Sequence, residues 1–196
     1  MRPGRRQWQT CSTARRRPFC ADLMALPQNF TERAAVFSPD GIYRYWLRRR
    51  LLTLFCFDCR PCVWIMLNPS RATADQNDAT TRICMNYAHR WGFSDYVAVN
   101  LFALVDTYPS GLIKAADPIG PDNDEAIRRA VDFARRHDGI VIAAWGSHGD
   151  LFDRAAAGLR MLAETPVYTL GLTRGGQPRF PRALSKYITP QQLADG

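Results

Sequence analysis

Apolar and polar residues alternate along this chain in blocks that predict strands and helices in turn. The run VWIML, Val63–Leu67, is continuously apolar and of strand length, as expected of a buried parallel strand. Between such runs lie segments with helical spacing, as at Ile83, Tyr87 and Trp91. The other runs predicted as parallel strands are YVAVNLFAL, GIVIAAWG and VYTLGL. This alternation predicts an α/β fold, a three-layer sandwich with a mainly parallel central sheet.

The residues at the predicted helix ends are typical of helix caps and of charges that match the helix dipole. Asp78 precedes the first helix as an N-cap and Gly92 ends it. In DNDEAIRRAVDFARRH the acidic residues lead and the basic residues follow, which matches a helix dipole. DLFDRAAAGLRMLAE is also amphipathic and predicts another helix.

A short β-hairpin is predicted ahead of the parallel strands. AAVFSPDGIYRYWLRR places turn-forming residues, Ser38–Gly41, between two apolar runs. LLTLFCF follows and is interpreted as a candidate extension of this sheet region.

Charge is distributed unevenly along the 196 residues, whose formal net charge is +8. Residues 1–24 hold six Arg against one Asp, whereas residues 63–196 are neutral overall. The body of the chain therefore lacks the basic surface that favours a polyanion.

We interpret residues 1–30 as a basic, disordered tail and 31–190 as a single α/β domain. The tail has no signal-peptide core and no apolar run reaches about 20 residues, so the predicted location is cytoplasmic, without a membrane.

Three cysteines, Cys56, Cys59 and Cys62, have a spacing seen in some metal sites. A fourth ligand with matching spacing does not follow, and the three precede an apolar strand. Free thiols in a reducing compartment are the favoured interpretation, and neither a metal nor a cofactor is expected.

Polar and ring-bearing residues follow the end of each predicted parallel strand, where such sheets bind ligands. We find no G-x-S-x-G, H-E-x-x-H or P-loop motif, so the expected chemistry is water positioning and charge stabilisation. Each residue also has an ordinary explanation, such as a turn, a cap or the core, and it is their coincidence that indicates a site. The catalytic candidates are Asn68, Asp75, Asp78 and His148. The substrate-binding candidates are Pro69, Ser70, Asn100, Trp145, Gly146, Thr173, Arg174 and Arg179.

Motifs over roughly residues 34–185 resemble an uncharacterised bacterial family, a domain of unknown function (number sixteen forty-three). They are MLNPS, DATTR, VAVNLFAL, ADPIGPDND, AAWGSHG and LGLTRGGQPRFP. The order of elements also resembles, more distantly, the uracil-DNA glycosylase superfamily. MLNPS is similar to the Gly-Ile-Asn-Pro-Gly motif of its mismatch-specific thymine/uracil branch.

The glycosylase resemblance implies roles for particular residues. Asn68 would position the water that attacks the sugar C1′ of a flipped-out nucleotide, and Asn100 would read the base edge. The segment RFPRALS is similar to the loop that compresses the DNA backbone, although Phe180 stands where that loop often has His. An imidazole beside the leaving base is then missing unless His148 supplies it. The implied partner is a nucleic acid or a nucleotide, with the oligomeric state left open.

Two alternatives stay open at the level of sequence. One is a metal-dependent nucleotide or small-molecule hydrolase or transferase that binds Mg²⁺ through Asp75 and Asp78. The other is a non-catalytic binding module.

Overall fold

Strands and helices alternate in the folded chain. The structure is a computed structural model that describes residues 33–51, 59–70, 72–73, 75–162 and 165–193. Among these residues, seven strands form one mixed sheet accompanied by helices, which confirms an α/β fold. Residues 1–30 and most of LLTLFCF lie outside the described residues, so the interpretations of both segments stay predictions.

The sheet has the strand order β1-β2-β4-β3-β5-β6-β7. The four strands β4, β3, β5 and β6 pair in parallel, while β1, β2 and β7 pair antiparallel at the two sides. The strands are β1 (Arg33–Phe37), β2 (Arg44–Arg50), β3 (Pro61–Met66), β4 (Asp95–Asn100), β5 (Ile140–Ala143), β6 (Val167–Thr169) and β7 (Gln191–Gln192).

Within the described ranges, four α-helices connect these strands, and the predicted caps are confirmed. The side chain of Asp78 accepts a hydrogen bond from Thr81 N at the start of the first helix, and Gly92 follows its end with φ +80°. The helices are α1 (Ala79–Arg90), α2 (Pro109–Lys114), α3 (Asn123–Arg136) and α4 (Arg154–Met161), with 3-10 turns at Gly146–His148 and Leu151–Asp153.

Three features differ from the expected elements. Helix α4 begins later than DLFDRAAAGLRMLAE predicts, because Phe152 and Asp153 have φ near +54° and interrupt the helical backbone. Helix α2 and strand β7 are additional short elements without a strong periodic pattern. Their formation depends on tertiary contacts rather than on local spacing.

The predicted hairpin is confirmed as the antiparallel pair β1 and β2. Its register shifts near the turn, because Val36 pairs with Trp46 while Phe37 pairs with Arg44. This β-bulge leaves Tyr45 as an extra residue in β2. Strand β2 also pairs antiparallel with β4, which joins the hairpin to the parallel strands.

Helix α1 packs on one face of the sheet through aromatic side chains. The rings of Trp64 and Trp91 are stacked with centroids 5.8 Å apart, and Tyr87 lies 5.4 Å from Trp91. Cys62 and Cys84 are fully buried in the same cluster, and burial raises the pKa of both thiols. These two cysteines are free, and they act as small core residues.

Strand β3 lies between β4 and β5, and the direction of the chain connections reverses there. The chain leaves β3 through α1 toward β4 on one side, whereas it leaves β5 through α4 toward β6 on the other. Open α/β sheets bind their ligands at such a change of direction, which here lies beyond the carboxyl ends of β3 and β5. Within the described part of the chain, none of the helices has the length and apolar character needed to cross a membrane.

A buried ion pair joins β2 to β4. Arg48 Nε donates to Asp95 Oδ1 at 2.8 Å, and the two side chains are only 9% and 0% exposed. We expect Asp95→Ala to lower the free energy of unfolding by about 3–5 kcal/mol, because it removes the carboxylate that neutralises a buried guanidinium. Urea denaturation measures this loss.

The matched control is Asp132→Ala on α3, which removes an exposed pair with Arg135. Its expected cost is below about 1 kcal/mol. Equal costs for the two variants would contradict a structural role for the buried pair.

Candidate functional site

Asn68 lies just past the carboxyl end of β3. Its side-chain Nδ2 donates to the backbone oxygen of Asp106 at 2.7 Å, and Asp106 N donates to Pro69 O at 3.1 Å. These bonds fix which end of the amide is donor and which is acceptor. The side chain is half-buried, and its Oδ1 has no hydrogen bond to any described residue. The oxygen can therefore accept a hydrogen bond from a small ligand or from water.

Ser70 and Asp78 come together at the start of α1. The Ser70 hydroxyl donates to Asp78 Oδ2, while Asp78 Oδ1 accepts from Thr81 N at 2.7 Å. Burial alone would raise the pKa of Asp78, but the hydrogen bonds from Ser70 and Thr81 outweigh it and lower this pKa below its ordinary value. Both carboxylate oxygens are thus engaged, which makes Asp78 a positioning group for Ser70 and the helix rather than a free base.

Two buried arginines of β2 donate hydrogen bonds to the loop between Ser70 and Asp78. Arg44 Nη1 donates to Ala72 O at 2.7 Å, and Arg49 Nε donates to Asn77 Oδ1 at 2.7 Å. Arg49 also donates to the backbone oxygens of Thr73 and Arg48. The exposed surface of Arg44 and Arg49 is 2% and 1%, and burial lowers the pKa of each.

Asn100 ends β4 in a fully buried position. It pairs in register with Met66 and therefore shares the α1 face of the sheet with Ala98. Neither Nδ2 nor Oδ1 of its side chain has a hydrogen-bond partner in the structure. Its backbone oxygen is satisfied by Asn123 Nδ2 at 3.0 Å, so the unpartnered groups belong to the side chain alone.

Trp145 and Gly146 form a separate group with the loop that follows β6. Trp145 is buried, and its Nε1 donates to Gln177 Oε1 at 2.8 Å. Gly146 has φ +76° and its N donates to Pro178 O at 2.8 Å. Thr173 joins the same loop through a 3.1 Å bond from Gln177 N to its hydroxyl. The Trp145 side chain is only 2% exposed, so its ring packs inside the protein and presents almost no surface to a ligand.

The other predicted residues are on the surface. Asp75, His148, Arg174 and Arg179 are exposed, and Asp75 is bound through its backbone oxygen by Arg33. No group of three or more His, Cys, Asp or Glu side chains in the described ranges is placed to hold a metal ion. Cys56 lies outside those ranges, while Cys59 is half-buried and lies 3.6 Å from Asp95 Oδ2.

A pocket of about 170 Å³ lies at the other end of the strands. Gly139, Ile140 and Tyr168 line it near the amino ends of β5 and β6. It does not include the predicted site residues.

The family comparison agrees with the extent of this fold. A family model described as "Protein of unknown function (DUF1643)" matches residues 44–182, which is most of the chain. The chain belongs to the DUF1643 family. Comparison with curated proteins and with solved structures gives no match. The matched range of this DUF1643 domain starts at the buried Arg44 and includes every predicted site residue.

Sequence reasoning missed three residues that shape the site of this DUF1643 domain. Arg44 is one of four arginines in β2, Thr81 is one of two consecutive threonines in α1, and Asp106 lies in the polar loop after β4. Arg44 and Thr81 are each 2% exposed, and Asp106 holds Asn68 through a backbone atom. Arg44 is the first residue of β2, where a charged side chain is common, so the sequence carries no signal of its burial.

Ionised Asp78 is expected to stabilise the domain in a pH-dependent way. Its folded pKa lies below the ordinary 3.8, so its contribution is present above that pH and is lost as pH falls through the folded value. Asp78→Asn keeps a capping side chain but removes the charge, and should cost about 1 kcal/mol at neutral pH. This difference should shrink below pH 3.8.

Urea unfolding of wild type and Asp78→Asn over a pH series measures this effect. Asp75→Asn on the exposed part of the same loop is the matched control, with no expected change. A cost for Asp78→Asn that is the same at every pH would show that its charge contributes nothing.

Proposed function

We propose that this chain is a glycosylase-like domain that hydrolyses a nucleobase N-glycosidic bond in DNA or in a nucleotide. The observation that carries the proposal is the fixed amide of Asn68. Its Nδ2 is engaged by Asp106 O at 2.7 Å at the end of the central strand, which leaves Oδ1 as an acceptor that faces away from that bond. A fixed acceptor of this kind can orient a water molecule for attack.

Asn68 is the residue that positions the water in this proposal. The water oxygen forms a bond to C1′ of the sugar while the bond from C1′ to the base nitrogen breaks, and the products are a free base and a sugar hydroxyl. Pro69 supports this role, because proline restricts the backbone of the preceding residue and donates no hydrogen bond itself. Asn100, on the same side of the sheet as α1, contacts the base edge.

Four further predicted residues have supporting roles in the proposal. Arg174 and Arg179 are exposed in the loop after β6 and contact phosphate. Ser70 and Asp78 hold the loop beside Asn68 through their mutual hydrogen bond. The likeness to the uracil-DNA glycosylase superfamily and the three-layer arrangement of helices and sheet are part of the same proposal, supported by the likeness of MLNPS to that superfamily's motif.

The test is release of a free base from a panel of single- and double-stranded oligonucleotides and nucleotides with modified or mismatched bases. Chromatography detects the released base. Asn68→Ala should lower the rate about 100-fold, the size typical of losing a positioned reactant. Asn68→Asp keeps an acceptor oxygen but cannot donate to Asp106 O, so an intermediate rate is expected.

Asn86→Ala, at an exposed position of α1, is the matched control and should keep the wild-type rate. If the wild type frees no base from any substrate, the proposed function is wrong. If Asn68→Ala retains full activity, the role of Asn68 is wrong.

A further inference from the structure

Positive charge is concentrated on helix α1 and on the segment 165–193. Together they hold six Arg or Lys and no Asp or Glu. The neutral sum over residues 63–196 hides this asymmetry, because residues 95–162 hold seven Arg or Lys against ten Asp or Glu. The six basic residues are all exposed, and they are Arg82, Arg90, Arg174, Arg179, Arg182 and Lys186.

Hydrogen bonds hold the segment 165–193 against α1. The Tyr87 hydroxyl donates to Ser185 O at 3.1 Å, and Trp91 Nε1 donates to Ile188 O at 3.2 Å. The Ile188 side chain also packs against the apolar cluster that contains Tyr87. The cations of the helix and of the segment beside it therefore belong to one surface, which we call the basic surface.

Arg90, Lys186 and Tyr187 are in direct contact on the basic surface. Arg90 Nη1 donates to Lys186 O at 3.3 Å, and the guanidinium carbon of Arg90 lies 5.8 Å from the centre of the Tyr187 ring. Lys186 Nζ lies 5.0 Å from the same ring centre. Tyr187 is nevertheless 74% exposed. Two cations thus accompany an aromatic ring that has most of its surface open to solvent.

The exposed side chains of α1 extend the basic surface along the helix. From Arg82 onward the exposed positions are Arg82, Asn86, His89 and Arg90, which form one polar stripe at helical spacing. Eight residues separate Arg82 from Arg90, which corresponds to about 12 Å along the helix axis. A nucleic-acid strand with the rise of B-DNA presents about three phosphates over this length.

The cations of this stripe lack ion pairs, in contrast to a comparable arginine on α3. Among the residues that the structure describes, no carboxylate lies within 4.0 Å of Arg82, Arg90 or Lys186. On α3, Arg129 is also exposed, but it pairs with Glu125 at 2.8 Å. The charge on the basic surface is therefore available to an anionic partner.

The acidic residues that flank α1 in sequence are engaged elsewhere. Asp78 precedes the helix, and its carboxylate accepts hydrogen bonds from the Ser70 hydroxyl and from Thr81 N. Asp95 follows the helix and is fully buried in its ion pair with Arg48. Neither carboxylate forms an ion pair with a cation of the basic surface.

We propose that the basic surface binds a single strand of nucleic acid. Phosphates contact Arg82, Arg90 and Lys186, because clustered cations bind the charged backbone. One unpaired base stacks on the Tyr187 ring, as bases do on exposed aromatic side chains. The bases of a duplex are stacked on one another and cannot reach such a ring. A membrane fits less well, since membrane-binding helices present several large apolar side chains and the stripe on α1 is polar.

The first test measures binding of a fluorescent oligothymidylate of about 15 nucleotides by anisotropy over a series of salt concentrations. The double variant Arg82→Gln, Arg90→Gln should weaken binding about 10-fold or more at about 0.1 M salt. It should also lower the slope of log affinity against log salt concentration by about 1.4, because each phosphate contact contributes about 0.7.

The matched control is the double variant Arg128→Gln, Arg129→Gln on α3, which removes the same charge from exposed arginines that pair with Glu125. It should keep the wild-type affinity within about twofold. The arginines of residues 1–24 are unchanged in both variants, so their contribution cancels in the comparison. Equal losses for the two double variants would reflect net charge alone and overturn the proposed surface.

The second test uses Tyr187→Ala and an abasic strand of the same length. The wild type should bind oligothymidylate about 5-fold or more tightly than the abasic strand, which is the size expected of one base stacked on an aromatic ring. Tyr187→Ala should lose this preference and Tyr187→Phe should keep it. A wild type that binds both strands equally would overturn the role of Tyr187 and the assignment to a single strand.

Two further ligands decide the class of partner. A duplex of the same length should bind less tightly than the single strand, and equal or tighter binding would overturn the assignment. Vesicles of anionic lipid that bind more tightly than the oligonucleotide, and through Arg82 and Arg90, would overturn it in favour of a membrane.

The inference does not require the proposed function, because binding breaks no bond. A folded wild type that binds no single strand would overturn the inference, even if the protein released a base from free nucleotides. Binding with the expected dependence on Arg82, Arg90 and Tyr187 would support it, even if no substrate were hydrolysed.

Discussion

The parallel pairing of β3 with β4 on one side and β5 on the other is the constraint on which the rest of the structure depends. Hydrogen bonding continues past the strand ends, since Leu101 N donates to Met66 O and Ala144 N donates to Ile65 O. The backbone is therefore fixed up to the residue before Asn68. Because the chain departs from β3 and β5 in opposite directions, this fixed end lies where open α/β sheets bind their ligands.

Buried arginines on β2 organise the segment that follows. Arg44 and Arg49 donate hydrogen bonds to the backbone of the loop after Ser70. This loop ends at Asp78, the N-cap of α1. Burying these guanidinium groups under the loop carries a free-energy cost of desolvation, which their hydrogen bonds to carbonyl oxygens partly offset. The loop is thus shaped by long-range polar contacts, while the neighbouring core of Trp64, Tyr87 and Trp91 is apolar.

Side chains at the strand ends differ in whether they remain available to a ligand. Asn68 and Ser70 are half-buried just past the end of β3, with donors and acceptors that could meet a ligand. Trp145 is equally close to a strand end, but its ring nitrogen binds Gln177 and its surface is buried. Position at a strand end therefore marks a candidate residue, and the hydrogen-bond partner decides whether the side chain remains available.

The sequence by itself determined the elements: the buried strands, the hairpin around Ser38–Gly41 and the helix capped by Asp78. These depend on spacing and capping within a few residues, which are visible in the chain. Only the tertiary structure decided the strand order, the shorter α4, the burial of Trp145 and the placement of Arg44 beneath a loop 28 residues away. Pairing partners and the satisfaction of buried polar atoms depend on residues far apart in sequence, so no local pattern encodes them.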